Sequence, residues 1–413
     1  FRSGEFLDVE TGVDEVARLF DSLEPGAGAK VRAYLARASE VYAVALRNFL
    51  YTTFSRPTQL LSKDVLTRLG TLAMLLTRSL DGLVAARFQD YRLRQILTYP
   101  AVFLSTEPKA APALYSLMSH TDLVEGVRYP QGGFAAVVDA IARQAADATF
   151  ELGTAVVAIN HAHGRATGVT LDDGRTIPAD AVVSAADLRH TETALLPIAA
   201  RTYPERYFTR RDPGLGTVLV FLGVRGALPE LAHHTLLFSK DWTPDFRAVY
   251  HGPEASRPLG ASESIYVSKT SATDPTVAPE GYENLFILVP VPADESYGHG
   301  DAYGAKESSR VNAIANAAVA QLGSWLGIKD LEGRVVVKRT LGPSDFAEQY
   351  NSWSGGAVGP AHTLRQSAFF RGRNVSRKLS NLYYAGGTTV PGVGVPMCLI
   401  SAQNVLTRMR EQR

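Results

Sequence analysis

The chain has 413 residues and is 46% hydrophobic, which suffices for a buried core and, at this length, for two or three domains. Its 42 basic and 41 acidic residues nearly cancel, which argues against a nucleic-acid binder, where a basic excess is the rule. The single cysteine, Cys398, excludes an internal disulfide framework and any cysteine-ligated zinc or iron–sulfur site, and no run of roughly 18 apolar residues is present to form a membrane-spanning helix.

From the amino end, apolar residues recur at three- and four-residue spacing over 14–23 and 27–50. This predicts two helices divided by Pro25 and Gly26. Further helices are predicted over 63–83 and 91–102, so residues 1–127 read as a helical region. Its apolar stretch over 66–83 suits either a core helix or a surface that docks on a membrane. Residues 128–190 change texture. Gly132-Gly133 opens a helix that runs to about residue 146, and short strands are predicted over 149–152 and 155–159. Segments 165–171 and 176–177 flank Asp172-Asp173-Gly174, a hairpin signal, and a buried-looking strand over 181–184 ends at Ala185-Ala186. In 191–340, strands are predicted over 216–224, 235–238, 264–268 and 285–291. A helix over 309–326 and a strand over 334–338 follow. The last region, 341–413, holds a Gly- and Ser-rich loop, a strand over 382–385, a glycine-rich turn and a helix over 395–410.

The turn carries the chemistry. After Asn381-Leu-Tyr-Tyr-Ala come Gly386-Gly-Thr-Thr-Val-Pro-Gly392-Val-Gly-Val-Pro396, with four glycines and two prolines in eleven residues between a strand and a helix. Glycine lets backbone approach a ligand where a side chain would collide. The first amides of a helix are unpaired and lie at the positive end of its dipole, which suits an anion. Gly386 and Gly387 can thus face a pyrophosphate. Gly392 and Gly394 allow the following helix to aim at a second electron-rich group. A tight strand-to-helix turn with no ligand explains the same residues.

This ending resembles the C-terminal signature of bacterial phytoene desaturases and related carotenoid desaturases. Three other stretches match that family in order: Tyr129-Pro-Gln-Gly-Gly-Phe134; Thr273-Asp-Pro-Thr-Val-Ala-Pro-Glu-Gly281; and Ser344-Asp-Phe346 with Gly355-Gly-Ala-Val-Gly359. The matches span the chain and are specific jointly. The resemblance implies an α/β fold like that of flavin-containing amine oxidases. A Rossmann-like FAD-binding lobe, discontinuous in sequence, carries a substrate lobe of mixed sheet and helices. On that reading, 128–190 and 341–413 are two pieces of the FAD lobe, 191–340 is the mixed sheet, and 1–127 is the helical, membrane-facing part of the substrate lobe. The implied FAD contacts are Val156 near the adenine, Ala185 and Ala186 beside the dinucleotide, and Gly386, Gly387 and Thr388 near the pyrophosphate and ribityl chain. Gly392, Val393, Gly394, Val395 and Pro396 would lie beside the flavin ring. The implied reaction is FAD-dependent desaturation of a polyene such as phytoene, at a membrane surface in the cytoplasm and without nucleic acid. A later carotenoid desaturase, an oxygenase, an isomerase, or a non-catalytic chain without flavin would share these features.

The family begins with a strand, a Gly-x-Gly-x-x-Gly turn and a helix. No such unit occurs here, and the opening at Phe1 reads as the start of a fragment, whose first βαβ unit and main pyrophosphate cradle would be missing. No catalytic acid or base stands out. The nine histidines show no metal-ligand pattern, so no metal is expected. Arg92, Arg94 and His120 could approach a substrate but equally suit helix pairing, and Cys398 suits a small core position.

Overall fold

The computed structural model describes residues 1, 4–53, 65, 67–252 and 257–411. The amino-terminal region is helical, as its spacing dictates. α1 (Val13–Leu23) and α2 (Ala27–Ala45) pack together, with Gly26 in the left-handed conformation between them. The run predicted over 63–83 is broken, and three of its residues (63, 64 and 66) lie outside the described ones. It yields α3 (Leu69–Thr77) and α4 (Leu80–Ala85), because Arg78 is extended and the Ser79 hydroxyl caps α4 by accepting from the Gly82 amide. α5 (Tyr91–Thr98) follows, capped by Asp90. These helices bury one core that includes Phe20, Leu35, Leu83, Phe88 and Leu97.

α6 (Gly133–Gln144) starts where the glycine pair predicts. Residues 149–152 form no strand; Phe150 and Leu152 stay exposed, and pairing begins only after Gly153. β1 (Val156–Ala162), β2 (Arg165–Leu171) and β3 (Thr176–Pro178) then form an antiparallel sheet, with the Asp172-Asp173-Gly174 turn joining the last two. β4 (Val182–Ser184) leads into α7 (Leu188–Thr193), capped by the Asp187 carboxylate, which accepts from the Arg189 and His190 amides.

The third region is a five-stranded antiparallel sheet in the order β6-β7-β8-β5-β9, built from β5 (Leu215–Arg225), β6 (His234–Leu237), β7 (Ile265–Lys269), β8 (Tyr282–Pro292) and β9 (Val335–Leu341). Between β6 and β7 lies α8 (Thr243–Tyr250), a helix absent from the sequence-based expectation. Alternation sorts the side chains. Val218, Val220, Leu222 and Val224 of β5, with Ile287, Val289 and Val291 of β8, pack in one core with Val311, Ile314, Ala318 and Leu322 of α9 (Ser309–Leu326). Leu288, Pro290, Tyr266 and Leu236 line a cavity instead.

After α10 (Pro343–Tyr350), the chain returns to the first half of the molecule. β10 (Leu382–Tyr384) pairs in parallel with β4, in the register Leu382↔Val182 and Tyr384↔Ser184, before α11 (Val395–Glu411). Asn381 fixes this union. Its carboxamide accepts from the Ala166 amide at 2.7 Å and donates to the carbonyls of Ala166 at 2.8 Å and Asp180 at 2.6 Å.

Two motifs far apart in sequence meet at Asp274, which is 1% exposed. Its carboxylate accepts from the Thr276 hydroxyl at 2.6 Å, the Gly132 amide at 2.8 Å, the Thr276 amide at 2.9 Å and the Tyr129 hydroxyl at 3.3 Å. These bonds, that of the Thr276 hydroxyl foremost, hold its pKa at about 2. The unfolded carboxyl titrates near ~3.9. The folded chain therefore resists protonation here, and the stability this supplies is complete above that value and lost as pH falls toward 2. Asp274→Asn is expected to flatten the loss of stability over that window, measured as urea midpoints at stepped pH. Parallel curves for the two proteins would refute the assignment.

Candidate functional site: a glycine-rich turn beside an apolar cavity

β4 and β10 run side by side and end together. The Ala385 amide donates to the Ser184 carbonyl at 2.9 Å, which places Ala185 and Ala186 beside Gly386 and Gly387 at the carboxyl ends of two parallel strands. This is where open α/β sheets bind ligands. The Thr388 hydroxyl accepts from the Leu188 amide at 3.1 Å and so joins the turn to the start of α7. Gly392, Val393, Gly394, Val395 and Pro396 complete the turn and open α11, with Gly394, Val395 and Pro396 exposed. Ten of the eleven residues expected to contact FAD thus fall at the two strand ends and along the turn, although Gly392 and Val393 are buried there. Val156 stands apart at the start of β1, 37% exposed, and among the described residues no hydrogen bond links it to the turn.

The turn is held from behind by groups that carry no periodic sequence signal. The Asn374 amide donates to the carbonyls of Val390 at 3.0 Å and Tyr384 at 3.1 Å, and to the Ser401 hydroxyl at 3.0 Å. The Ser401 hydroxyl accepts from the Gly386 amide at 3.1 Å. The Arg371 guanidinium, 3% exposed, donates to the carbonyls of Gly387 at 2.6 Å and Thr389 at 3.0 Å. His362, equally buried, turns Nδ1 to the Leu104 carbonyl at 3.2 Å. Burial, reinforced by the charge of Arg371, pushes the pKa of His362 well below the usual histidine range, so its ring is neutral.

These residues fit a flavin dinucleotide. Gly386 has φ +100°, a left-handed conformation that favours glycine, and its Cα faces the Ala185 carbonyl, from whose oxygen a Cβ would stand 3.4 Å. Gly392 has φ +153°, and a Cβ there would stand 2.4 Å from His362 Nε2. A buried cation, Arg371, stands behind the turn, which suits an anionic cofactor, and Asp187, whose carboxylate caps α7, lines the same cleft as Thr388 and Arg371.

The second element is a small, largely apolar cavity of about 70 Å³. The outer face of the five-stranded sheet forms one wall. Tyr99, Val102 and Phe103 form another, and Trp242, Phe246 and Tyr250 of the α8 segment a third. The last three repeat every fourth residue, a helical stripe that could have been read from the sequence. Asp245 is the one charged residue lining the cavity, and its carboxylate is fully engaged. It accepts from Arg257 at 2.7 Å, from the Ser239 hydroxyl at 2.6 Å and from the Ser264 hydroxyl at 2.7 Å.

Cavity and turn meet at a single peptide. Val358 lines the cavity. Its neighbour Gly359 lies so close to the turn that a Cβ would be 3.2 Å from Val393 Cγ1 and 3.8 Å from the Gly387 carbonyl oxygen. Other residues weighed in the sequence have structural duties. His120 bonds the Ser39 hydroxyl at 2.8 Å and packs on Tyr42. Arg92 pairs with Asp90 and Glu5, and Arg94 donates to the Phe88 carbonyl. Cys398 is half-buried in α11, and no cluster of potential metal ligands occurs among the described residues.

The family model for flavin containing amine oxidoreductases matches residues 3–409. The chain is 35% identical to a carotenoid 3,4-desaturase of Haloarcula japonica, over all of this chain and 80% of that protein. It is 32% identical to a zeta-carotene-forming phytoene desaturase of Myxococcus xanthus, over 99% of this chain and 76% of that protein. Among solved structures, an oxidoreductase from Methanosarcina mazei matches with a TM-score of 0.52 at 16% identity, covering 85% of this chain and 74% of that one. Putrescine oxidase bound to putrescine matches with a TM-score of 0.51 at 15% identity, covering 92% and 75%. The two structures speak for the fold alone.

The turn makes a direct prediction. Gly387 has room for a methyl group, its nearest neighbour being Val393 Cα at 3.7 Å, whereas Gly392 has none. Gly387→Ala should melt like the parent chain. Gly392→Ala should lose about 2–4 kcal/mol, from a strained φ and the collision with His362. Equal melting of the two variants would show that the turn is not packed as described.

Proposed function

The chain belongs to the flavin-containing amine oxidoreductase family, and from that premise we propose that it is an FAD-dependent carotenoid desaturase acting on a C40 or similar polyene such as phytoene. The observation that carries this reading is the contact of the apolar cavity with the glycine-rich turn through Val358 and Gly359. A polyene offers no charge and no heteroatom, so its pocket must bind by shape and apolar area. A cationic amine would instead call for a free carboxylate, and Asp245 is already committed to Arg257 and two hydroxyls.

When bound, FAD would supply a two-electron acceptor able to take a hydride from a C–H bond beside the conjugated system, the second hydrogen leaving as a proton as the new double bond forms. Ala185, Ala186, Gly386, Gly387 and Thr388 would hold its phosphate and ribityl parts. Gly392, Val393, Gly394, Val395 and Pro396 would lie along its ring, and Val156 would face its adenine. The cavity wall orients the polyene by contact alone. The aromatic side chains of the α8 segment form one wall of the cavity and the sheet face another, so an apolar chain between them would be held by contact on both sides.

No helix among the described residues is long and apolar enough to cross a membrane. A substrate of this kind nevertheless resides in a bilayer. α3 would serve as the docking surface, since Leu69 is 54% and Leu76 38% exposed.

Incubation with FAD followed by gel filtration is expected to leave a flavin spectrum co-eluting with the protein. The loaded chain should then desaturate phytoene in liposomes. Val358→Trp, which fills the cavity next to the turn, should cut polyene turnover more than tenfold while flavin stays bound, since about one side chain of new volume blocks the approach. Full turnover by this variant would place the substrate elsewhere.

A further inference from the structure

We propose that Arg371 is a fixed positive charge that raises the reduction potential of the flavin, acting from behind the turn over residues 386–394; this rests on FAD occupying that turn. Arg371 is 3% exposed, and every acceptor it reaches is a neutral carbonyl: Gly387 at 2.6 Å, Thr389 at 3.0 Å, Pro360 at 3.2 Å and Gln366 at 3.4 Å. Among the described residues no carboxylate forms an ion pair with it.

Asp187 lines the same cleft, but its carboxylate accepts from the amides of Arg189, His190 and Trp353, and none of the described titratable groups around Arg371 forms an ion pair with it. Burial pushes up the phenol of Tyr115 from the 3₁₀ turn at Ala113–Leu117, the phenol of Tyr207 to about 12, and the thiol of Cys398 on α11, so all three stay protonated and neutral. His362 is neutral as well. Arg211, stacked over Tyr207 at 3.9 Å, adds charge of the same sign. Burial lowers the pKa of Arg371 itself only to about 10, so it remains a cation at neutral pH.

A buried cation without a counter-ion is costly unless an anion arrives. The site offers two. The diphosphate of FAD carries the same charge in both oxidation states, so its attraction to Arg371 strengthens binding without altering the potential. The flavin ring gains negative charge only on reduction, so its attraction to Arg371 appears directly as a higher potential. Arg371 is therefore a positioning and tuning residue: it acts through the backbone of the turn and through its field.

The test uses the full chain loaded with FAD, titrated spectroelectrochemically as wild type, Arg371→Met and Arg371→Lys. Loss of the charge in Arg371→Met should shift the equilibrium at least tenfold toward oxidised flavin, a fall of at least about 30 mV for a two-electron couple. Sulfite, whose adduct leaves negative charge on the ring, should bind the same variant at least tenfold more weakly. Arg371→Lys should match wild type at low pH and slide toward the methionine variant as its buried ammonium deprotonates. A role limited to knitting carbonyls together would show no such pH break. An Arg371→Met protein that keeps its flavin at the wild-type potential overturns the inference. If that variant does not fold, Arg371→Gln, which removes the charge and keeps a side-chain donor, takes its place, and a wild-type potential in that protein overturns the inference. A wild-type chain that retains no flavin fails earlier, at the reading beneath.

Discussion

Everything at the candidate site depends on two short strands, 200 residues apart in sequence, lying parallel. β4 and β10 share only three paired residues, too few to hold such a long closure by ladder bonds alone. The additional restraint comes from side chains that act on backbone. Asn381 satisfies both main-chain groups of Ala166 and the carbonyl of Asp180, so it ties the hairpin, the strand after it and β10 into one unit. Beneath it, the Tyr384 hydroxyl donates to the buried Glu192 carboxylate, whose other oxygen accepts from the Tyr203 amide at 2.8 Å. With these in place, Ala185-Ala186 and Gly386-Gly387 must end side by side, and a surface for a dinucleotide follows from the pairing.

The two halves of the site divide the chemical labour. The turn is polar on its hidden side, where Arg371 donates to the carbonyls of Gly387 and Thr389, Asn374 donates to that of Val390, and Ser401 accepts from the Gly386 amide. The cavity is the reverse: aromatic and aliphatic where a ligand would lie, with its lone carboxylate locked into bonds behind the wall. Such an arrangement suits a reaction in which the substrate brings no handle and the cofactor brings the reactivity.

Much of this was legible in the residues. The helix over 309–326 coincides with α9, and the strands of the large sheet were placed within a few residues, because alternation and helical spacing in those segments are strong. The turn announced itself through glycines whose φ values and close contacts no other residue tolerates as well. What stayed hidden had weak local signals. The segment over 149–152 has strand-like residues but no neighbour to pair with, and pairing is a tertiary fact. α8 is only eight residues long, with a proline as its second residue. Arg371, His362 and Asn374 sit in irregular backbone, where the pattern of a sequence says nothing about which carbonyls will come within reach.

The large sheet shows its two faces to two different clients. Side chains at alternate positions of β5 and β8 belong to the core with α9, while Leu288 and Pro290 of β8, with Tyr266 and Leu236 on the neighbouring strands, belong to the cavity. Neighbouring residues in one strand therefore meet different surroundings, with Ile265 touching both. A lineage can enlarge, shorten or reshape the pocket by changing every second residue and leave the fold's stability nearly untouched. One scaffold can in this way be handed from one polyene to another in small steps.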